Sequence, residues 1–187
     1  DNHGLPDPQI LPLMPEYIKQ AGYRTGLVGK WHLGQGTEAM LSKTERDEYN
    51  KLRKQDALSA KRVEAAKPWK RGFDEGFFFV GGGGHYFPFR GKFANNPSSN
   101  YFTFKGPDQQ PEPYRRSADA FKTDFLTDAA IDFIRNKDKK PWFLFLSYTA
   151  PHTPLQAKPE DIAANTHIKD PRRRIFAGMM TCLDYNV

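Results

Sequence analysis

A chain of 187 residues, 38% of them hydrophobic and 14% aromatic, carries enough apolar surface for the core of one domain. That composition excludes a disordered chain, and no apolar run approaches the length of a membrane span. The single cysteine, Cys182, excludes an intrachain disulfide and a cysteine-built zinc site, and the formal charge of +6 sets the electrostatic character.

The opening DNHGLPDPQILPL has no basic stretch followed by an apolar one, so no signal peptide is expected there. Leu11, Met14, Ile18 and Ala21 recur at helical spacing, with Pro12 and Pro15 near the start and Gly22 at the close. Thr25 to Val28 then predicts a strand. If extended backbone persists to residue 32, Lys30 and His32 point one way and Trp31, a core candidate, the other. Strands entered from a helix are usually parallel members of an α/β sheet, which binds ligands beyond the carboxyl ends of its strands. Lys30 and His32 fall at that end. Alone, the pair also fits a solvated charge beside a hydrogen-bonded loop histidine.

Residues 37–71 hold ten Lys or Arg against six Asp or Glu, most of the net charge. Leu41, Leu52 and Val63 make a thin apolar stripe, so a solvated, charged helical insertion is expected at about 37–68. No nucleic-acid recognition motif or aromatic interleaving accompanies the charge; it suits a polyanionic substrate and no nucleic acid. Gly81 to Gly84, followed by His85 and Tyr86, begin a Gly/Pro-rich loop region at about 80–116. No Lys-Ser or Lys-Thr follows these glycines, which argues against a phosphate-binding loop.

Phe125, Leu126, Ala129, Ala130, Phe133 and Ile134 predict an amphipathic helix, with Thr123 as its N-cap and Asp124 suiting its positive end. WFLFLSY, residues 142–148, reads as a strand covered on both faces, with Trp142 in the core. TAPHTP follows, where Pro151 and Pro154 restrict the backbone around His152. A last helix begins at Asp170 and Pro171 with Ile175, Phe176, Met179 and Leu183 on one face, Cys182 as a packing thiol and Arg172 to Arg174 on a solvated face.

If both strands belong to one parallel sheet, Lys30, His32 and His152 can converge at its carboxyl edge. A cation and two imidazoles suit a tetrahedral oxyanion, the mark of a sulfate or phosphate ester. No carboxylate sits at ligand spacing beside either histidine, which disfavours a metal site there.

GYRTGLVGKWHLG (22–34), RGFDEGFFFVGGGGHYF (71–87) and KPWFLFLSYTAPHTPL (140–155) resemble, in order, three segments of the formylglycine-dependent sulfatases. The resemblance implies an α/β/α sandwich of the alkaline-phosphatase/sulfatase type, present as a partial domain, and sulfate ester hydrolysis in the intact enzyme. It implies that Lys30 binds sulfate, that His32 takes a proton as sulfate is expelled, and that His152 assists the leaving alcohol. His85 lies where such enzymes shape the substrate pocket and is a tentative substrate-binding residue. Formylglycine and Ca2+ are implied as well, but the chain has no C/S-x-P-x-R motif and none of the family's paired aspartates or its Asp-Asn pair in order. The chain is therefore read as an internal piece of a catalytic domain that is inactive alone, with no metal ligand of its own. A sulfated small molecule or sulfated glycan is the expected partner, and a periplasmic, secreted or lysosomal location is implied. A phosphoesterase or phosphonate hydrolase of the same superfamily, and a noncatalytic sulfoglycan-binding protein, are the alternatives.

Overall fold

The computed structural model describes residues 11–33, 65–80, 84–94, 101–106, 112–114, 117, 119–136 and 138–187. The charged insertion expected at 37–68 lies almost wholly outside them. Five strands form one mixed sheet among the described residues: β1 (Arg24–Trp31), β2 (Glu75–Val80), β3 (Tyr101–Lys105), β4 (Glu112–Tyr114) and β5 (Trp142–Ser147), in the order β4-β3-β2-β1-β5. The central β1 pairs in parallel with both β2 and β5, while β3 and β4 add antiparallel strands outside β2. Helices are α1 (Met14–Gln20), α2 (Lys122–Ile134), α3 (Pro159–Ala163) and α4 (Pro171–Tyr185).

Alternation along β1 sorts the core into two layers. Leu27 and Trp31 join Trp69, Phe73, Phe78 and Phe104, with Leu13 at the head of α1 packed against them. Val28, on the opposite face, joins Phe77, Phe79 and Tyr101, covered by Phe125, Leu126 and Ala130 of α2. Helices thus lie on both faces, as an α/β/α sandwich requires. Buried polar groups tie the amino ends of the strands together. Arg24 pairs with Glu75 at 2.7 Å and donates to Phe133 O at 2.7 Å, while Arg71, fully buried, reaches Glu16 at 3.1 Å. The RGFD stretch of the second family-like segment therefore includes a staple between α1 and the sheet.

Several expectations are corrected. The first helix starts at Met14, with Leu13 as N-cap donating its N–H to Glu16 Oε2 at 2.6 Å, and Leu11 and Met14 are exposed. Thr123 does not cap α2: Phe121 holds the cap position in an extended conformation and the Lys122 N–H donates to Tyr86 O at 2.8 Å, a distant carbonyl replacing the side-chain cap. The 80–116 region contains β3 and β4 rather than loop alone. Among the described residues β5 is the last strand of the sheet and is only partly covered, and Trp142 is 45% exposed rather than core. On α4, Asp170 accepts from Arg173 N at 2.7 Å as a cap, and Met179 and Cys182 are buried, but Phe176 is exposed. Arg174 is not merely solvated, since its Nε donates to Ile168 O at 2.8 Å.

Gly29 permits the close pairing of β1 with β5. Its φ is +110°, and a Cβ there would run into the Ser147 carbonyl oxygen. Gly29→Ala should cost the complete protein about 2–4 kcal/mol, combining backbone strain with a steric clash. Denaturant unfolding checks this, and an unchanged midpoint would contradict the pairing.

Candidate active site

Lys30 is the next-to-last residue of β1, opposite Phe79 of β2 in the register, and it shares with Val28 the face covered by α2. Trp31 turns to the other layer, its edge against the Phe73 ring at 5.8 Å. The strand ends at Trp31, so His32 is the first residue beyond it rather than part of the extended run. Partial burial, and secondarily the nearby Lys30 charge, hold His32 below the ordinary imidazole range. The ring is therefore neutral at neutral pH and able to accept a proton.

β5 delivers the second segment to the same edge. Gly29 pairs with Ser147, so Lys30 and the 148–152 turn both continue from one paired position. The turn is closed by the His152 N–H donating to Thr149 O at 2.7 Å, and the peptides before Pro151 and Pro154 are both cis. The His152 side chain is exposed, with Nδ1 2.5 Å from Thr153 O. A carbonyl oxygen only accepts, so Nδ1 carries the hydrogen and Nε2 is left to exchange a proton.

A third segment, at residues 84–94, locks onto the second. Tyr86 is fully buried and its hydroxyl donates to His152 O at 3.1 Å. The Gln156 amide accepts from Tyr86 N at 2.8 Å, and its Nε2 lies 3.4 Å from His85 Nδ1. His85 is thus linked to the His152 segment through Gln156. Burial and the charges of Lys122 and Lys92 hold His85 below its ordinary range, partly countered by the Gln156 contact. The structure places Lys30 and His32 together, and separately joins His85 to the His152 segment.

Sequence reading missed Tyr86 as a support for His152, and it missed the burial of Lys122, a cation at the first position of a helix, where the dipole disfavours it. Cys182, expected as a packing thiol, is buried with its pKa pushed up to about 12 by burial and then by Asp124, whose Oδ1 lies 3.4 Å from Sγ. Asp124 itself is held by Lys158 at 3.0 Å and by Asn186 at 3.2 Å. Among the described residues no group of three or more His, Cys, Asp or Glu could hold a metal ion. With no C/S-x-P-x-R motif in the chain either, neither calcium nor formylglycine is assigned to its residues.

The family model described as Sulfatase matches residues 1–187. Arylsulfatase J of Mus musculus is 29% identical over 183 residues, covering 95% of this chain and 25% of its own length. N-acetylgalactosamine-6-sulfatase of the same organism is 29% identical over 158 residues, covering 82% of this chain and 24% of its own. Among solved structures, Ps i-CgsB in complex with k-i-k-neocarrahexaose matches with a TM-score of 0.70 and 28% identity, over 100% of this chain and 36% of that one. The chain spans about a quarter of the length of the curated relatives it matches.

Proposed function

Because this chain belongs to the sulfatase family, we propose that it contributes Lys30, His32 and His152 to the active site of a sulfuric ester hydrolase. The observation that carries this reading is the parallel pairing of β1 with β5, which sends the Lys30–His32 and His152 segments off the same edge of the sheet. The Lys30 ammonium neutralises the sulfate oxygens. His152, protonated at Nε2, gives its proton to the bridging oxygen as the alcohol leaves. His32, neutral, accepts the proton that must depart before sulfate is released. Formylglycine, which the family implies, supplies a nucleophile, and calcium neutralises charge; both are ascribed to residues outside this chain, which alone should turn over no ester.

The substrate class we propose is a sulfated glycan in preference to a sulfated small molecule. The local excess of positive charge in residues 37–71 supports it, as does the oligosaccharide bound by Ps i-CgsB. The test is hydrolysis of matched sulfate and phosphate monoesters of one sugar by the complete enzyme, with the released anion quantified by ion chromatography from pH 5 to 8. The rising limb of sulfate release against pH should follow the lowered His32 value, since the ring must lose its proton to act as acceptor. Faster phosphate release would favour the phosphoesterase reading. Tight sulfoglycan binding without release of either anion would favour a noncatalytic protein.

A further inference from the structure

A cavity of about 350 Å³ opens beside the His152 segment, a size that holds a sugar ring. Phe87 from the 84–94 segment, Leu155, Ile162 of α3 and Ile175 of α4 give it apolar walls, and Arg90 and Gln156 are its polar members. It adjoins the proposed site through Gln156, which belongs to the TAPHTPLQ stretch that carries His152 and whose amide contacts Tyr86 N and His85 Nδ1. Arg90 is held in place at the cavity. Its guanidinium lies over the Phe87 ring at 4.2 Å, that ring meets Phe121 at 5.1 Å, and one guanidinium nitrogen pairs with Asp119 at 2.6 Å. The Asp119 pair occupies only part of a group with five N–H donors, so Arg90 can bind a second anion. Arg172, exposed, stands one turn before Ile175 on the face of α4 that continues to the buried Met179, within a turn of the cavity wall. It is also a cation at a helix start, a placement that a bound anion favours.

We propose that this cavity is a subsite for the sugar next to the one being desulfated, and that Arg90 and Arg172 bind a second sulfate group carried by that neighbouring sugar. This rests on the sulfated-glycan reading of the site. The apolar walls receive the C–H surface of the ring, and the planar guanidiniums match the oxygens of its sulfate. Neither arginine touches the reacting ester, so both determine specificity and take no part in the chemistry. The consequence is a preference for glycans sulfated on adjacent units. Arg173 provides the contrast. It shares its face of α4 with Phe176 and Met180, both exposed, and so points away from the cavity with the same charge.

The experiment measures kcat/KM of the complete enzyme for three esters: a monosulfated monosaccharide, a disaccharide with that one sulfate, and the same disaccharide with a second sulfate on the adjacent sugar. The wild type should favour the disulfated over the monosulfated disaccharide by roughly tenfold. Arg90→Gln and Arg172→Gln should each lose roughly three- to tenfold on the disulfated disaccharide and stay within about twofold of wild type on the monosaccharide. Ile162→Trp, which fills the cavity, should slow both disaccharides and spare the monosaccharide. Arg173→Gln should leave all three rates unchanged. Equal wild-type rates on the two disaccharides would overturn the proposal, and that comparison decides even if a variant does not fold. A loss in Arg173→Gln equal to that in Arg90→Gln would also overturn it, since the effect would then be general attraction of polyanions. Sulfate release from the monosaccharide without any preference between the disaccharides removes only the subsite, whereas no release by the wild type from any of the three removes the reading on which it rests.

Discussion

In the complete enzyme, His152→Ala should slow hydrolysis of sulfate esters of poorly acidic alcohols by roughly 10²–10⁴-fold, the usual contribution of a positioned proton donor. Activated aryl sulfates should lose far less. The reasoning begins at Nδ1, which the Thr153 carbonyl at 2.5 Å keeps in the hydrogen-carrying state, leaving Nε2 as the nitrogen that exchanges a proton. A sugar alkoxide is a poor leaving group and needs that proton as the S–O bond breaks; an activated phenolate departs without it. The plot of log rate against leaving-group pKa should therefore be steeper for the variant than for the wild type. Equal losses across the series would reduce His152 to an anion-binding group. Tyr86 enters the same account as support, because its hydroxyl fixes the His152 carbonyl at 3.1 Å and hence the turn from which the imidazole projects.

The parts of this architecture written in local pattern were the ones legible in the sequence. The apolar run through Leu144 and Leu146 announced β5, and the short run to Val28 announced β1, because a strand that packs even one face under a helix still shows as a short apolar run. His152 stood out for its flanking prolines. What escaped depended on distant partners. The start of α2 looked like a Thr123 cap, yet its first amide is satisfied by Tyr86 O, a residue far away in sequence. The burial of Lys122 was overlooked for the same reason: only the folded sheet brings the rings of Phe79 and Tyr86 to it.

The strands in the 80–116 region were hidden by a different effect. β3 is five residues long, and its Tyr101 and Phe104 contribute to opposite core layers, so neither gives an apolar run. Prolines and glycines around it dominate the local signal. Trp142 misled in the other direction. An aromatic at the start of an apolar strand suggests a core residue, but β5 is the last strand of the sheet among the described residues, and Trp142 packs against Phe133, with rings 6.3 Å apart, while staying 45% exposed. Which strand occupies an edge is a property of topology, and the residues of the strand itself do not encode it.

The central claim is that Lys30, at the end of β1, holds the sulfate of an ester, and Lys30→Met tests it most directly because methionine keeps most of the stem and removes the charge. Its ammonium faces the α2 layer beside Phe79, where partial burial makes one positive charge count for more than it would in water. The charge is needed while the sulfate oxygens gather negative charge, so the loss should appear in kcat/KM and not in unfolding. The measurement is kcat/KM for a sulfated oligosaccharide by the complete enzyme, alongside an unfolding curve. A fall of about 10²–10³-fold with an unchanged unfolding midpoint is the result predicted. Turnover within about threefold of wild type would contradict the account, because the sulfate would then be held elsewhere.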